Sequence, residues 1–187
     1  MPANSVAVLF SNPVRNRAND VDYVYHPDPN FYYLTGLEEP NAVLLLFKQP
    51  VTLLGKTGTE FIFVQNRDPQ RELWTGKILG VEGVQEKYKI SNVFINDKFS
   101  ANTIDFSTID SVFTAYKSED IFSTYKRSVD PLTRMATIVD SAIAATKKPV
   151  ATRSLQAILS GLRGIKQPEE IALIAKAASI SCDGHND

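Results

Sequence analysis

Few side chains in this sequence have the type and spacing for catalysis. Its two histidines, His26 and His185, stand near opposite ends of the chain, and its one cysteine is Cys182. A hydrolytic metal site draws several His, Asp, Glu or Cys ligands together. No H-E-x-x-H, C-x-x-C or EF-hand pattern occurs. His26 and Asp28 would supply two ligands, on a turn stiffened by Pro27 and Pro29, with no evident third. Cys182 has His185 three residues on as its one candidate base in sequence, and a thiolate nucleophile needs an electropositive site around it. The plainer reading is a small apolar residue on a helix face. No G-x-S-x-G elbow is present. Gly55-Lys56-Thr57 imitates the end of a phosphate-binding loop, but Pro50 stands where its first glycine belongs, and the VTLL between them reads as strand. The expectation is a chain with no catalytic residue and no metal-ligand set of its own.

Binding residues are easier to nominate. From Arg17 to Pro40 the sequence RANDVDYVYHPDPNFYYLTGLEEP mixes tyrosines, acids and prolines and then runs into the apolar NAVLLLF, Asn41 to Phe47. A polar, aromatic, turn-rich segment feeding a buried strand is a common place for a working surface in an α/β protein. Tyr23 and Tyr25 with Asp20 and Asp22 would line a cleft wall suited to a cationic or amide-bearing ligand. Phe31, Tyr32, Leu34 and Leu37 read instead as the apolar face of a short helix over the sheet. Trp74, the single tryptophan, is flanked by Arg71, Glu72, Thr75 and Lys77, so its helix should be exposed and the indole free to act as an anchor.

The elements that must position these residues follow from pattern. Ser5 to Ser11 reads as a buried first strand and Asn41 to Phe47 as a second, apolar on both faces and so central. Asp28, Pro29 and Gly36 should cap, open and close a short helix. Val51 to Leu54 and Glu60 to Gln65 read as a hairpin across the GKTGT turn. Asp68 and Pro69 should start the helix of Trp74, followed by another near Glu82 to Lys89. Val93 to Ile95 and Ser111 to Ala115 are short strands, with a small helix near Thr103 to Ile109. Asp130 and Pro131 open a firm helix with Leu132, Met135, Val139 and Ile143 on one face, stopped at Lys147-Lys148-Pro149. Helices near Ser154 to Leu162 and from Pro168 onward complete the chain; the last has Ile171, Ile174, Ala175, Ala178 and Cys182 on its apolar face. Strands and helices alternate with at least one hairpin, which predicts a mixed-sheet α/β domain. The first strand starts almost at Met1 and the last helix is still in force at the final residue, so the sequence reads as an amino-terminal portion of something longer.

Composition narrows the function classes. The chain has 187 residues, 43% hydrophobic, with a formal net charge of -1. That length supports one good core, and the near-zero charge is poor for nucleic acid, which is bound by neutralising several phosphates. With one cysteine, no secretory leader pattern and no apolar run of about 18 residues, a reducing, cytoplasmic location away from membranes is expected.

At this point the residues resemble a known family. ANDVDYVYHPDPNFYYLTGLEEPNAVLLLF is similar to the amino-terminal domain of aminopeptidase P, the Xaa-Pro aminopeptidase of the creatinase and prolidase group. SVAVLFS, RDPQRELWTGKILG and LRGIKQPEEIALIAKAASIS resemble, in order and spacing, the family's first strand, its Glu-x-Trp-x-Gly run and the linker and first helix of its catalytic domain. The resemblance implies a mixed six-stranded sheet flanked by helices, in a ribonuclease-H-like layout, over residues 1–152. It implies that residues 153–187 are the linker and first helix of a truncated "pita-bread" metallopeptidase domain. In full-length members two divalent ions, typically manganese, are held by two Asp, one His and two Glu and activate a bridging water that attacks the bond before a proline at the second position. Those ligands would all lie in the absent domain. This portion would supply a wall of the substrate cleft and contacts of a homo-oligomer. Asp20 matches the acid near the substrate's amino end, and Trp74 matches a tryptophan that a neighbouring subunit lends to the pocket, where its flat face suits a proline ring. Relatives often carry proline where Val24 stands and arginine where His26 stands.

Two rivals share the fold. A prolidase would cleave dipeptides alone, and a non-catalytic module would use the same domain to bind peptides. The tyrosine-rich segment and Trp74 favour aminopeptidase P, and the near-neutral charge speaks against a histone-binding module.

Overall fold

In a computed structural model the chain is described over residues 1–115, 130–148 and 150–186. It divides into two compact units, Met1–Leu155 and the helical remainder from Gln156. The first unit is built on a mixed sheet of strands β1 (Ser5–Phe10), β4 (Val43–Leu53), β5 (Lys56–Val64), β6 (Val93–Ile95) and β7 (Ser111–Thr114), in the order β6-β5-β4-β1-β7. Strands β4 and β5, and β1 and β4, run antiparallel; β5 with β6 and β1 with β7 are parallel. A separate ribbon pairs β2 (Asn16–Ala18) with β3 (Val21–Asp22). The main sheet thus has five strands among the described residues rather than six. Beyond β7 a single parallel bridge, Val112 to Val150, holds the next position.

Alternation along the strands builds two cores. Val6, Val8, Phe10, Val43, Leu45, Phe47, Phe61 and Phe63 point to one face and pack with Phe94, Phe99, Ile104 and Phe106 under helix α4 (Pro131–Thr146). Phe63 meets Phe99 edge-on at 4.9 Å and stacks near Phe94 at 5.4 Å, geometries that aromatic quadrupoles favour. Leu132, Met135, Val139 and Ile143 of α4 are buried, as their spacing predicts, and the Asp130 carboxylate caps the helix through the Thr133 N–H. Arg134 then fastens α4 to the carbonyls of Asn96 and Phe99, at 2.7 Å each. The helix ends at Thr146 with Lys147 in the left-handed region at φ 55°, as the expected stop at Lys147-Lys148-Pro149 requires, Pro149 itself lying outside the described residues. The other face of the sheet buries Ala7, Leu9, Leu44, Ile62 and Val64, with α1 (Pro29–Thr35) against β1 and α3 (Gly80–Tyr88) against β6.

One strand assignment is corrected. Asn41–Phe47 and Val51–Leu54 are one long strand, and the turn is the two-residue Leu54-Gly55, with φ of 49° and 80°, rather than the whole GKTGT stretch. Positive φ at both turn residues matches the twist of a tight hairpin. Pro50 breaks the pattern in sequence but not the strand. It sits where the β4–β5 register shifts between Leu46 and Val51, at an exposed point that needs no ladder donor. Of the apparent phosphate-loop residues, Gly55 completes the hairpin turn while Lys56 and Thr57 already belong to β5.

The second unit contains most of α5 (Thr152–Gly164) and all of α6 (Pro168–Asn186). Acids in its first turn suit the start of α6, yet none of its described residues is buried. Ile171, Leu173, Ile174 and Ile180 are each more than half exposed, and Cys182 is exposed.

Candidate functional site

The tyrosine-rich segment leaves β1, forms the β2–β3 ribbon, and returns through α1 to β4. The ribbon is too short for core packing, and its strands are exposed throughout. A single side chain organises it: the Asn16 amide donates to the carbonyls of Asn19 and Val21 and to the Asp22 carboxylate. Asn19 takes φ +51°, a value that asparagine tolerates better than most residues. Asp20 follows it at the ribbon tip, exposed to solvent. Tyr23 and Val24, 56% and 81% exposed, continue the same surface.

Tyr25 does not share it. Its hydroxyl donates to the Glu39 carbonyl at 3.3 Å, and burial pushes the phenol up to about 12. Asn12 reaches the His26 carbonyl and so ties the segment back to the end of β1. The expected wall of Tyr23, Tyr25, Asp20 and Asp22 therefore separates into an exposed ribbon and a packed tyrosine behind it. Helix α1 forms as its caps predict. The Asp28 carboxylate accepts from the N–H groups of Asn30 and Phe31, and Gly36 closes the helix at φ +69°. Phe31 and Leu37 are fully buried, but Tyr32 turns outward, 44% exposed, and leaves the expected apolar face.

Trp74 stands near the end of α2 (Pro69–Thr75), a helix none of whose residues is buried. The indole is 91% exposed and its neighbour Leu73 83% exposed. Beside them, Arg67 donates through Nε and Nη2 to both carboxylate oxygens of Glu72, at 3.0 Å each. That guanidinium holds the Glu72 carboxyl below the usual glutamate range, and Glu72 holds the Arg67 guanidinium above its own. The sequence reading missed this fork, although an Arg five residues before a Glu around an Asp-Pro cap was visible.

Among the described residues no hydrogen bond or ion pair joins Asp20 to Trp74. Their segments meet through Glu39, whose Oε1 accepts from the Leu79 N–H at 2.8 Å, just past α2. Its buried Oε2 has no hydrogen-bond partner among the described residues. No group of three or more His, Cys, Asp or Glu among those residues could hold a metal ion, and no helix is long and apolar enough to cross a membrane. The surface can present a carboxylate, aromatic rings and a flat indole to a partner or ligand.

Comparison with known proteins matches this architecture. The family model described as "Aminopeptidase P, N-terminal domain" covers residues 1–113. The chain is 31% identical to the Xaa-Pro aminopeptidase of Haemophilus influenzae, over 99% of this chain and 38% of that protein. It is also 31% identical to the intermediate cleaving peptidase 55 of Schizosaccharomyces pombe, over 98% of this chain and 36% of that protein. The solved Pseudomonas aeruginosa aminopeptidase PepP superposes with a TM-score of 0.73 at 27% identity, covering 99% of this chain and 40% of that one. The chain thus spans between about a third and two fifths of the relatives it matches.

Proposed function

This chain belongs to the aminopeptidase P N-terminal domain family, and from that membership we propose that it is the N-terminal domain of a Xaa-Pro aminopeptidase. The full protein would remove the residue that precedes a proline at the second position of a peptide. Residues 1–152 would form the domain proper and 153–187 the entry into a catalytic domain. The observation that supports this most is the continuous match of 99% of the chain to a Xaa-Pro aminopeptidase at 31% identity.

In this reading the chain binds and orients while hydrolysis occurs elsewhere. Among the described residues no group of three or more His, Cys, Asp or Glu could hold the two divalent ions implied by the family. Asp20 would face the substrate's amino terminus or a cation of the catalytic domain. In open water two charges 4 Å apart gain only about 1 kcal/mol, so Asp20 would matter once the cleft closes over it and excludes water. Trp74 would offer its exposed face to the proline ring of a substrate held by a neighbouring copy of the chain. A flat apolar surface suits that ring, and a homo-oligomer would bring the two together. The cytoplasm is the proposed compartment. A second reading, an intermediate cleaving peptidase, is favoured by the fission-yeast relative at equal identity, and one plant relative of that name is mitochondrial.

A matched peptide pair separates the readings when assayed with the full-length protein and manganese. Cleavage of the peptide with proline second, and not of its alanine counterpart, is the expected result. Equal cleavage of both would overturn the Xaa-Pro assignment and favour the second reading.

A further inference from the structure

Helix α2 presents its most apolar side chains to solvent and buries nothing in exchange. Seven residues make barely two turns, which have little stability by themselves. Its shape must come from contacts other than the core, and these are specific. The Asp68 carboxylate caps its first turn through the N–H groups of Gln70 and Arg71. The Arg67 fork spans that cap and grips both oxygens of Glu72 on the next turn. Beyond the helix end, Glu39 accepts from the Leu79 N–H at 2.8 Å. The Glu39 carboxylate therefore holds an amide of the strap that returns from Trp74, while Glu72 holds Arg67 at the helix start. Gly80 completes the fit: its φ is +63°, and a Cβ there would stand 2.7 Å from Arg67 Cγ, so the arginine stem lies directly on the backbone.

We propose that Arg67, Glu72 and Glu39 are positioning residues that lock α2 and hold Trp74 preformed in its outward pose. The inference deepens the reading of Trp74 as a substrate-facing anchor and rests on it for its biological purpose. A planar bidentate fork fixes orientation in a way a point charge does not. A partly exposed ion pair adds little to global folding, so what it fixes here is local geometry. An anchor already held in its bound pose avoids the ordering cost that a floppy one meets on binding. Through Glu39 the tyrosine-rich segment becomes the fixed point to which the tryptophan strap is tied, which gives the two nominated surfaces a common frame.

Trp74 is the only tryptophan in the sequence, so time-resolved fluorescence anisotropy of the 187-residue chain reads this residue alone. Glu72→Gln and Arg67→Lys should raise the amplitude of the sub-nanosecond depolarisation about twofold or more, with a smaller rise for Glu39→Gln. The slow correlation time of the domain should stay unchanged. An amplitude unaltered in all three variants overturns the lock, as does a wild-type amplitude equal to that of the free peptide of residues 67–80. Should Glu72→Gln lose the slow component through unfolding, Arg67→Lys, which keeps the charge, decides the matter. The anisotropy reads the lock, whereas kcat/KM of a Trp74→Ala full-length protein reads the anchor, so the failure of one is distinguishable from the failure of the other.

Discussion

Helices α1 and α2 are built on one local plan and meet opposite fates. Each has an Asp cap, proline at its first position, seven residues, a threonine at the seventh and a glycine after it. In both, the threonine hydroxyl donates back four residues, Thr35 to the Phe31 carbonyl and Thr75 to the Arg71 carbonyl. The third position differs. Phe31 is fully buried, whereas Arg71 in the equivalent place is exposed, and α2 turns Leu73 and Trp74 to solvent instead. Caps and turns decide that a helix forms; the side chain at the third position decides whether it belongs to the core or to a surface. An element that buries nothing contributes little to folding, and a large aromatic displayed on it is better explained by what it contacts outside the chain.

Five substitutions or conditions can break that contrast. Phe31→Ala should have the largest effect, a loss of about 3–5 kcal/mol in denaturant unfolding, because it opens a cavity under α1. Asp28→Ala should cost about 1 kcal/mol globally, since α1 is part of the cooperative core. The matching Asp68→Ala should instead leave global unfolding nearly unmoved and appear as faster amide exchange confined to α2. A drop as large as that of Asp28→Ala would place α2 in the core after all. Trp74→Ala should change global stability by less than about 0.5 kcal/mol, as befits a surface side chain. The smallest effect is that of acid on α2. Because Arg67 holds the Glu72 carboxyl low, its contribution is complete above the ordinary value of 4.5 and is lost as pH falls through its depressed one. The facing charges are Arg67 and Lys77, with Glu82 near Arg67. Amide exchange of α2, corrected for its intrinsic pH dependence, should therefore accelerate at acid pH, and Glu72→Gln should abolish that change.

Local grammar made much of the fold readable. Asp28-Pro29 with Gly36 marked a helix whose caps agree with the structure, and Asp130-Pro131 with its apolar spacing one whose cap and buried face both agree. Trp74 was readable as exposed because charged and polar neighbours surround it. Pro50 misled, since a proline reads as a strand break unless the register shift beside it is known. The β2–β3 ribbon was invisible: strands of three and two residues carry no periodicity, and its organiser Asn16 works through turn hydrogen bonds. Glu39 and Glu72 were missed because their partners are backbone amides and a guanidinium set by tertiary geometry. Tyr25 was grouped with Tyr23 because alternate positions look alike in sequence, while the structure half-buries Tyr25 and exposes Tyr23.

The role proposed for this chain is that of a cleft wall whose chemistry lies in another domain. The direct test is kcat/KM of the full-length protein on a peptide with proline second, compared between wild type and Asp20→Ala with Trp74→Ala. A fall of about tenfold or more with an unchanged thermal midpoint is the predicted result, equivalent to about 1.4 kcal/mol of transition-state binding. An unchanged kcat/KM would contradict the claim and reduce both residues to ordinary surface.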